Sequence, residues 1–122
     1  MAIQPERALE WLGSTKKDLT ACSDDVKDVF GYALDLAQHD RLHPDAFPMR
    51  GNLRGVIEVR ADEDGNTYRT MYTAKFGDVI YVLNVFQKKS TQGIKTPQRE
   101  LDLTEKRLKD AKLHYDKYYK RK

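Results

Sequence analysis

The segment Val79-Ile-Tyr-Val-Leu-Asn-Val-Phe86 constrains this chain more than any other. It has strand length and is apolar on both alternating faces, which predicts a strand at the centre of a sheet rather than at its edge. Two segments before it share the strand period. Val56-Ile-Glu-Val-Arg60 alternates, Asp64-Gly-Asn66 supplies turn chemistry, and Thr67 to Lys75 is rich in the strand formers Thr and Tyr. Gly77-Asp78 then turns the chain into the apolar run. Three strands with short turns predict an antiparallel meander.

The rest of the chain reads as helices around that sheet. Ala8-Leu-Glu-Trp-Leu12, ended by Gly13, fits a first strand, and Ser14 offers a cap for a short helix through Ala21. Ser23 caps a second helix, with Asp24 and Asp25 favouring its positive N-terminal end. Val26, Val29, Phe30, Ala33, Leu34 and Ala37 follow at helical spacing, and the helix ends before His43-Pro44. Residues 44–55 read as loop, as do Gln87 to Lys95. Thr96-Pro97 reads as an N-cap with proline at the first helical position, followed by a stripe of Leu101, Leu108, Ala111, Tyr115 and Tyr118. The order β-α-α-β-β-β-α predicts an α+β fold, with a four-stranded antiparallel sheet and helices packed on one face.

A chain of 122 residues is about one domain, and no linker or repeat divides it, so residues 1–122 are read as one unit with a basic C-terminal helix and tail from about 96. At 39% hydrophobic and 10% aromatic residues, collagen-like and wholly disordered readings fail. No apolar run approaches the roughly 20 residues of a membrane span. Met1-Ala-Ile-Gln-Pro-Glu-Arg7 lacks the apolar stretch of a signal peptide. The single Cys22 has no internal disulfide partner, and a reducing cytoplasm is the expected setting.

The net charge of +3 conceals a polarity. Gln87 to Lys122 holds twelve Lys/Arg against five Asp/Glu, whereas the first 86 residues hold ten against fourteen. A basic C-terminal third suggests an anionic partner, and nucleic acid is the usual one. No Walker loop, G-x-S-x-G or H-E-x-x-H is present. His39 and His43 stand four apart, but Pro44 breaks the helix that a metal pair would need, so neither a metal site nor a cofactor is expected. Cys22 has no sequence-adjacent histidine to activate it and reads as inert.

Cations interleaved with aromatics are the stronger signal. Arg60 ends one strand; Arg69, Tyr72 and Lys75 lie on the next; Phe86, Lys88, Lys89 and Lys95 follow the last. Such a set suits RNA, because cations neutralise phosphate and rings stack on unpaired bases. It could also cleave RNA. Attack by a ribose 2′-OH builds negative charge on a pentacoordinate phosphate, which Arg and Lys stabilise, and a Lys or Tyr of lowered pKa could move the protons. Arg69 in mid-sheet either lies on an exposed concave face or pairs with an acid such as Glu58.

Val56-Ile-Glu-Val-Arg60, Tyr68-Arg-Thr-Met-Tyr72 and the strand ending in Phe86-Gln-Lys-Lys89 resemble the RelE/ParE superfamily of bacterial toxins. The stretch Phe86 to Pro97 is similar to the F-x-K-K-S-x-x-G-I-K-T-P segment of its phage-derived, HigB-like branch, and His43-Pro44-Asp45-Ala46 also fits that branch. The resemblance spans roughly residues 8–115. It implies the toxin of a type II toxin–antitoxin system, encoded beside a DNA-binding antitoxin. It further implies a metal-independent, ribosome-dependent mRNA endoribonuclease that inhibits translation. By position, Arg69 matches the strand arginine that contacts the scissile phosphate in that group, and Lys88 and Lys89 lie near a second basic position. The catalytic expectation is therefore Arg69, Lys88 and Lys89, with Arg60, Tyr72, Lys75, Phe86 and Lys95 binding RNA. Glu58 falls where RelE ribonucleases carry a lysine, and no late tyrosine matches theirs cleanly. Two alternatives stay open: a ParE-type toxin that inhibits DNA gyrase by binding, and a non-toxic RNA-binding module.

Overall fold

The computed structural model describes residues 6–88 and 96–120. Its strands are β1 (Ala8–Trp11), β2 (Ala46–Pro48), β3 (Val56–Glu63), β4 (Asn66–Phe76) and β5 (Val79–Lys88). Its helices are α1 (Thr15–Thr20), α2 (Asp24–Gln38) and α3 (Gln98–Tyr118), with a 3-10 turn at Gly51–Leu53. The strands form one sheet in the order β1-β5-β4-β3-β2. The β3-β4-β5 meander is antiparallel as its turns require, whereas β1 joins β5 in parallel.

The sheet thus has five described strands rather than four, and it is mixed rather than wholly antiparallel. The fifth is β2, inside the segment expected to be loop: Ala46, Phe47 and Pro48 pair with Val59, Glu58 and Ile57. Pro48 is tolerated there because β2 is an edge strand, where a missing N–H costs no ladder bond.

The helices lie on both faces, not on one, and the composition of β5 explains why. Ile80, Val82 and Val85 join Val59, Ala61 and Tyr72 under the apolar stripe of α2, which is Val26, Phe30, Ala33, Leu34 and Ala37. Val79, Tyr81 and Leu83 join Val56 and Met71 under α3 at Ala111, with Leu101, Leu108 and Tyr115 packed around them. A strand with two apolar faces needs two covers. The register shifts at Leu83: Met71 pairs with Asn84 and Tyr72 with Val82, so Leu83 is an extra residue. This bulge turns Leu83 and Asn84 both towards α3. Past Val82, β1 no longer follows β5, and Arg107 of α3 donates to the Leu83 carbonyl at 3.0 Å.

Two capping expectations divide. The Ser23 hydroxyl accepts from the Val26 amide at 3.3 Å and caps α2. Ser14 does not cap α1, because its hydroxyl donates to Asp18 at 2.7 Å instead. At the far end Tyr118 is exposed rather than part of the apolar stripe. Tyr119 packs in its place and donates a hydrogen bond to the Glu10 carboxylate. No described helix is long and apolar enough to cross a membrane.

Tyr81 is fully buried and shares a 2.9 Å hydrogen bond with His114 Nδ1. Burial, reinforced by Glu10, pushes its phenol up to about 12 from an ordinary 10.0. The folded chain therefore keeps a proton that the unfolded chain releases near pH 10. The stability tied to this group is complete below pH 10 and is lost as pH rises towards 12. Thermal melts across that window should fall with pH, and Tyr81→Phe should flatten the fall.

A buried carboxylate gathers cations from three strands

The α3-facing side of the sheet ends in a polar cluster. Side chains two apart on a strand share a face, so Glu58 and Arg60 of β3 lie beside Arg69 of β4 and Phe86 and Lys88 of β5. Arg60 pairs directly with Arg69 and Arg69 with Phe86. Two guanidinium groups opposite one another repel. Glu58 resolves this. One of its oxygens, Oε1, accepts from Arg60 Nε at 3.1 Å and from Arg69 NH1 at 3.0 Å. The other, Oε2, accepts from the Thr96 hydroxyl at 2.9 Å.

Burial grades the cluster. Glu58 and Arg69 are each 2% exposed, whereas a third of the Arg60 side chain reaches solvent. Arg60 also lies over the Phe47 ring, 4.5 Å from its centroid. Arg69 Nε is buried without a hydrogen-bond partner among the described residues. Lys88 is buried as well. Desolvation lowers the pKa of its ammonium, and the Arg69 and Arg60 charges lower it further, against an opposing pull from Glu58.

Of the two placements open to Arg69, the structure has the pair with Glu58. Arg60, Arg69, Phe86 and Lys88 lie together on one face of the sheet. Tyr72 and Lys75 do not join them. Tyr72 is 1% exposed on the opposite face under α2, where no base can stack on it. Lys75 stands at the other end of β4 beside Gly55. Lys89 and Lys95 lie outside the described residues. Thr96, read as the cap of α3, spends its hydroxyl on Glu58 instead. Phe47 was hidden in a segment read as loop, where the only signal was one apolar residue between Ala46 and Pro48. Phe86 also borders an open cavity of about 500 Å³ that reaches Cys22, Glu100 and Arg107.

His39 and His43 lie at the surface. His43 Nδ1 accepts from the Asp45 amide, and His39 lies near Asp35 and Glu6 in an exposed group. Burial, aided by Asp18, pushes the Cys22 thiol up, away from a reactive thiolate.

Fold and site together define a small α+β protein with a cationic cluster tied to one buried acid. The family model described as Phage derived protein Gp49-like (DUF891) matches residues 17–109, and the chain belongs to that family. Among solved structures it is similar to the toxin–antitoxin complex RelBE2 from Mycobacterium tuberculosis, at 18% identity and a TM-score of 0.47. That match covers 69% of this chain and 100% of the other. The comparison with curated proteins found no match.

Removing Arg69 takes a buried partner from Glu58 and leaves that carboxylate to Arg60 and Thr96. Arg69→Ala should lower the unfolding free energy by about 2–3 kcal/mol in urea denaturation. Glu58→Leu combined with Arg69→Met should recover only part of that loss, since the buried pair is replaced by apolar volume but Arg60 is left without its acid.

Proposed function

We propose that this protein is the toxin of a type II toxin–antitoxin pair and acts as a ribosome-dependent mRNA endoribonuclease. The observation that carries the reading is the convergence of Arg60 and Arg69 on one carboxylate, with Lys88 of the third strand within reach of their charges, which leaves the cluster cationic. Membership of the phage-derived family and the Phe86 to Pro97 resemblance support it. The partners in this reading are the ribosome, its mRNA and a DNA-binding antitoxin that covers the cations.

The chemistry follows from the grading of burial. Arg60 is the guanidinium at the surface and meets the scissile phosphate. Arg69, behind it, holds Glu58 and through it the angle of Arg60. Cleavage joins the ribose 2′-oxygen to phosphorus and breaks the bond to the 5′-oxygen. The 2′-OH proton goes to a base, and the departing 5′-oxygen takes a proton from an acid. The products are a 2′,3′-cyclic phosphate and a 5′-hydroxyl. Arg60 balances the charge that builds on the equatorial oxygens. Lys88, its pKa lowered by burial and by two arginines, is the proton-transfer group of the cluster. Lys89 and Lys95 are further cations of the sequence for ribosomal RNA, and Phe86 offers a ring beside Arg69.

The test is mapping of mRNA 5′ ends shortly after the chain is induced alone in a bacterial host. New ends at fixed codon positions are expected, and Arg60→Ala should remove them while shifting the melting temperature by only a few degrees. Growth arrest without new ends would turn the reading to gyrase inhibition. Neither arrest nor ends would leave a non-toxic RNA-binding module.

A further inference from the structure

A second site lies on the opposite face of the sheet, independent of any ribonuclease activity. Between the end of α2 and strands β3 and β4 is an open cavity of about 260 Å³. Its apolar wall is Ala37, Leu42, Ile57 and Ala74, and Arg41 and Lys75 stand among its lining residues. Tyr72 also lines it. The Tyr72 hydroxyl is buried and has no hydrogen-bond partner among the described residues. A buried hydroxyl left unpaired costs stability, which native folds seldom accept without a use for the group.

The cations here are placed by the backbone. The end of α2 is a Schellman motif: the Asp40 amide donates to the Ala37 carbonyl at 3.1 Å and the Arg41 amide to Leu36 at 2.8 Å. Asp40 takes the left-handed conformation, at φ 62°, that this motif usually gives to glycine. Arg41 is therefore anchored one residue beyond the turn. Lys75 is held from the other side. Its stem crosses Gly55, where a Cβ would come within 2.9 Å of Lys75 Cδ. Gly55 has φ +94°, a conformation that favours glycine. Arg7, the third cation, is already engaged with Asp40 at 2.5 Å and with the Ala74 carbonyl at 3.3 Å. Arg41 and Lys75 have no ion pair among the described residues.

The geometry points to a binding site for an amphipathic carboxylate: an apolar body about the size of an aromatic ring lies on Ala37, Leu42, Ile57 and Ala74, its carboxylate meets Arg41 and Lys75, and Tyr72 supplies a hydrogen bond from the wall. The combination excludes simpler ligands. A bare inorganic anion would leave the apolar wall uncovered, and a neutral aromatic would leave the cations unused. Both a free arylalkyl acid and the end of a polypeptide carry this chemistry.

The test is a titration of the full-length, isotope-labelled chain followed by amide NMR. The probes are phenylacetate, inorganic phosphate, benzyl alcohol and the dipeptide acetyl-Gly-Phe with a free C-terminus. Phenylacetate should give saturable shifts at Ala37, Leu42, Gly55, Ile57 and Ala74, at least fivefold tighter than phosphate or benzyl alcohol. Arg41→Ala with Lys75→Ala should weaken it at least fivefold. Tyr72→Phe should weaken it severalfold without lowering the melting temperature, because that change removes an unpaired hydroxyl and no native contact. A dipeptide tighter than phenylacetate identifies a chain end as the source, and the reverse order identifies a free acid. The proposal is overturned if phenylacetate does not saturate, if phosphate matches it, or if Tyr72→Phe binds it as well as the natural chain does.

Discussion

The whole arrangement depends on one strand being covered on both faces. β5 carries Ile80, Val82 and Val85 to one side and Val79, Tyr81 and Leu83 to the other, all at most 5% exposed. Neither α2 nor α3 alone could bury it. The chain therefore closes α1 and α2 over one face before the meander is made, and brings α3 back over the other after it. Two cores result, and the sheet is the wall between them. The two candidate sites inherit this division, because whatever lies under α3 is screened from whatever lies under α2.

Within the α3-side core, Glu58 is the organising acid. A carboxylate in that position is costly unless every oxygen is occupied, and here both are. Its partners come from β3, β4 and the turn into α3, so one side chain fixes the relative position of three segments. The same contacts keep two arginines at the distance of cross-strand neighbours, which their charges alone would oppose. The stability of the cluster and its chemistry are consequently inseparable at Arg69, and separable at the partly exposed Arg60.

Much of this was legible in the sequence, and the rest was hidden for identifiable reasons. The strands of the meander followed from alternation and turn residues, and α2 from its spacing and its Ser23 cap. The two-faced composition of Val79 to Phe86 already marked a central strand, yet placing the helices on one face did not use it. β2 escaped because three residues containing a proline carry no period. In the site, Arg60, Arg69, Phe86 and Lys88 were visible as residue types, but their convergence depends on register, which a bulge at Leu83 alters and no spacing announces. Tyr72 shows the same dependence in reverse. It is adjacent in sequence to the cationic pattern, and the pleat sends it to the other core.

The bulge and the early end of β1 have one more effect. Beyond Val82 the outer edge of β5 has no neighbouring strand among the described residues. An apolar strand with a bare edge is the usual starting point for chain-to-chain pairing and aggregation. This molecule blunts that edge from its own other face. Arg107 reaches around from α3 to occupy the Leu83 carbonyl, and the bulge bends the ladder where an incoming strand would need it straight. The residues that follow, Asn84, Gln87 and Lys88, bring polar side chains to a strand that is otherwise almost wholly apolar. The helix that completes the core thus also occupies a carbonyl that the bulged strand would otherwise leave open.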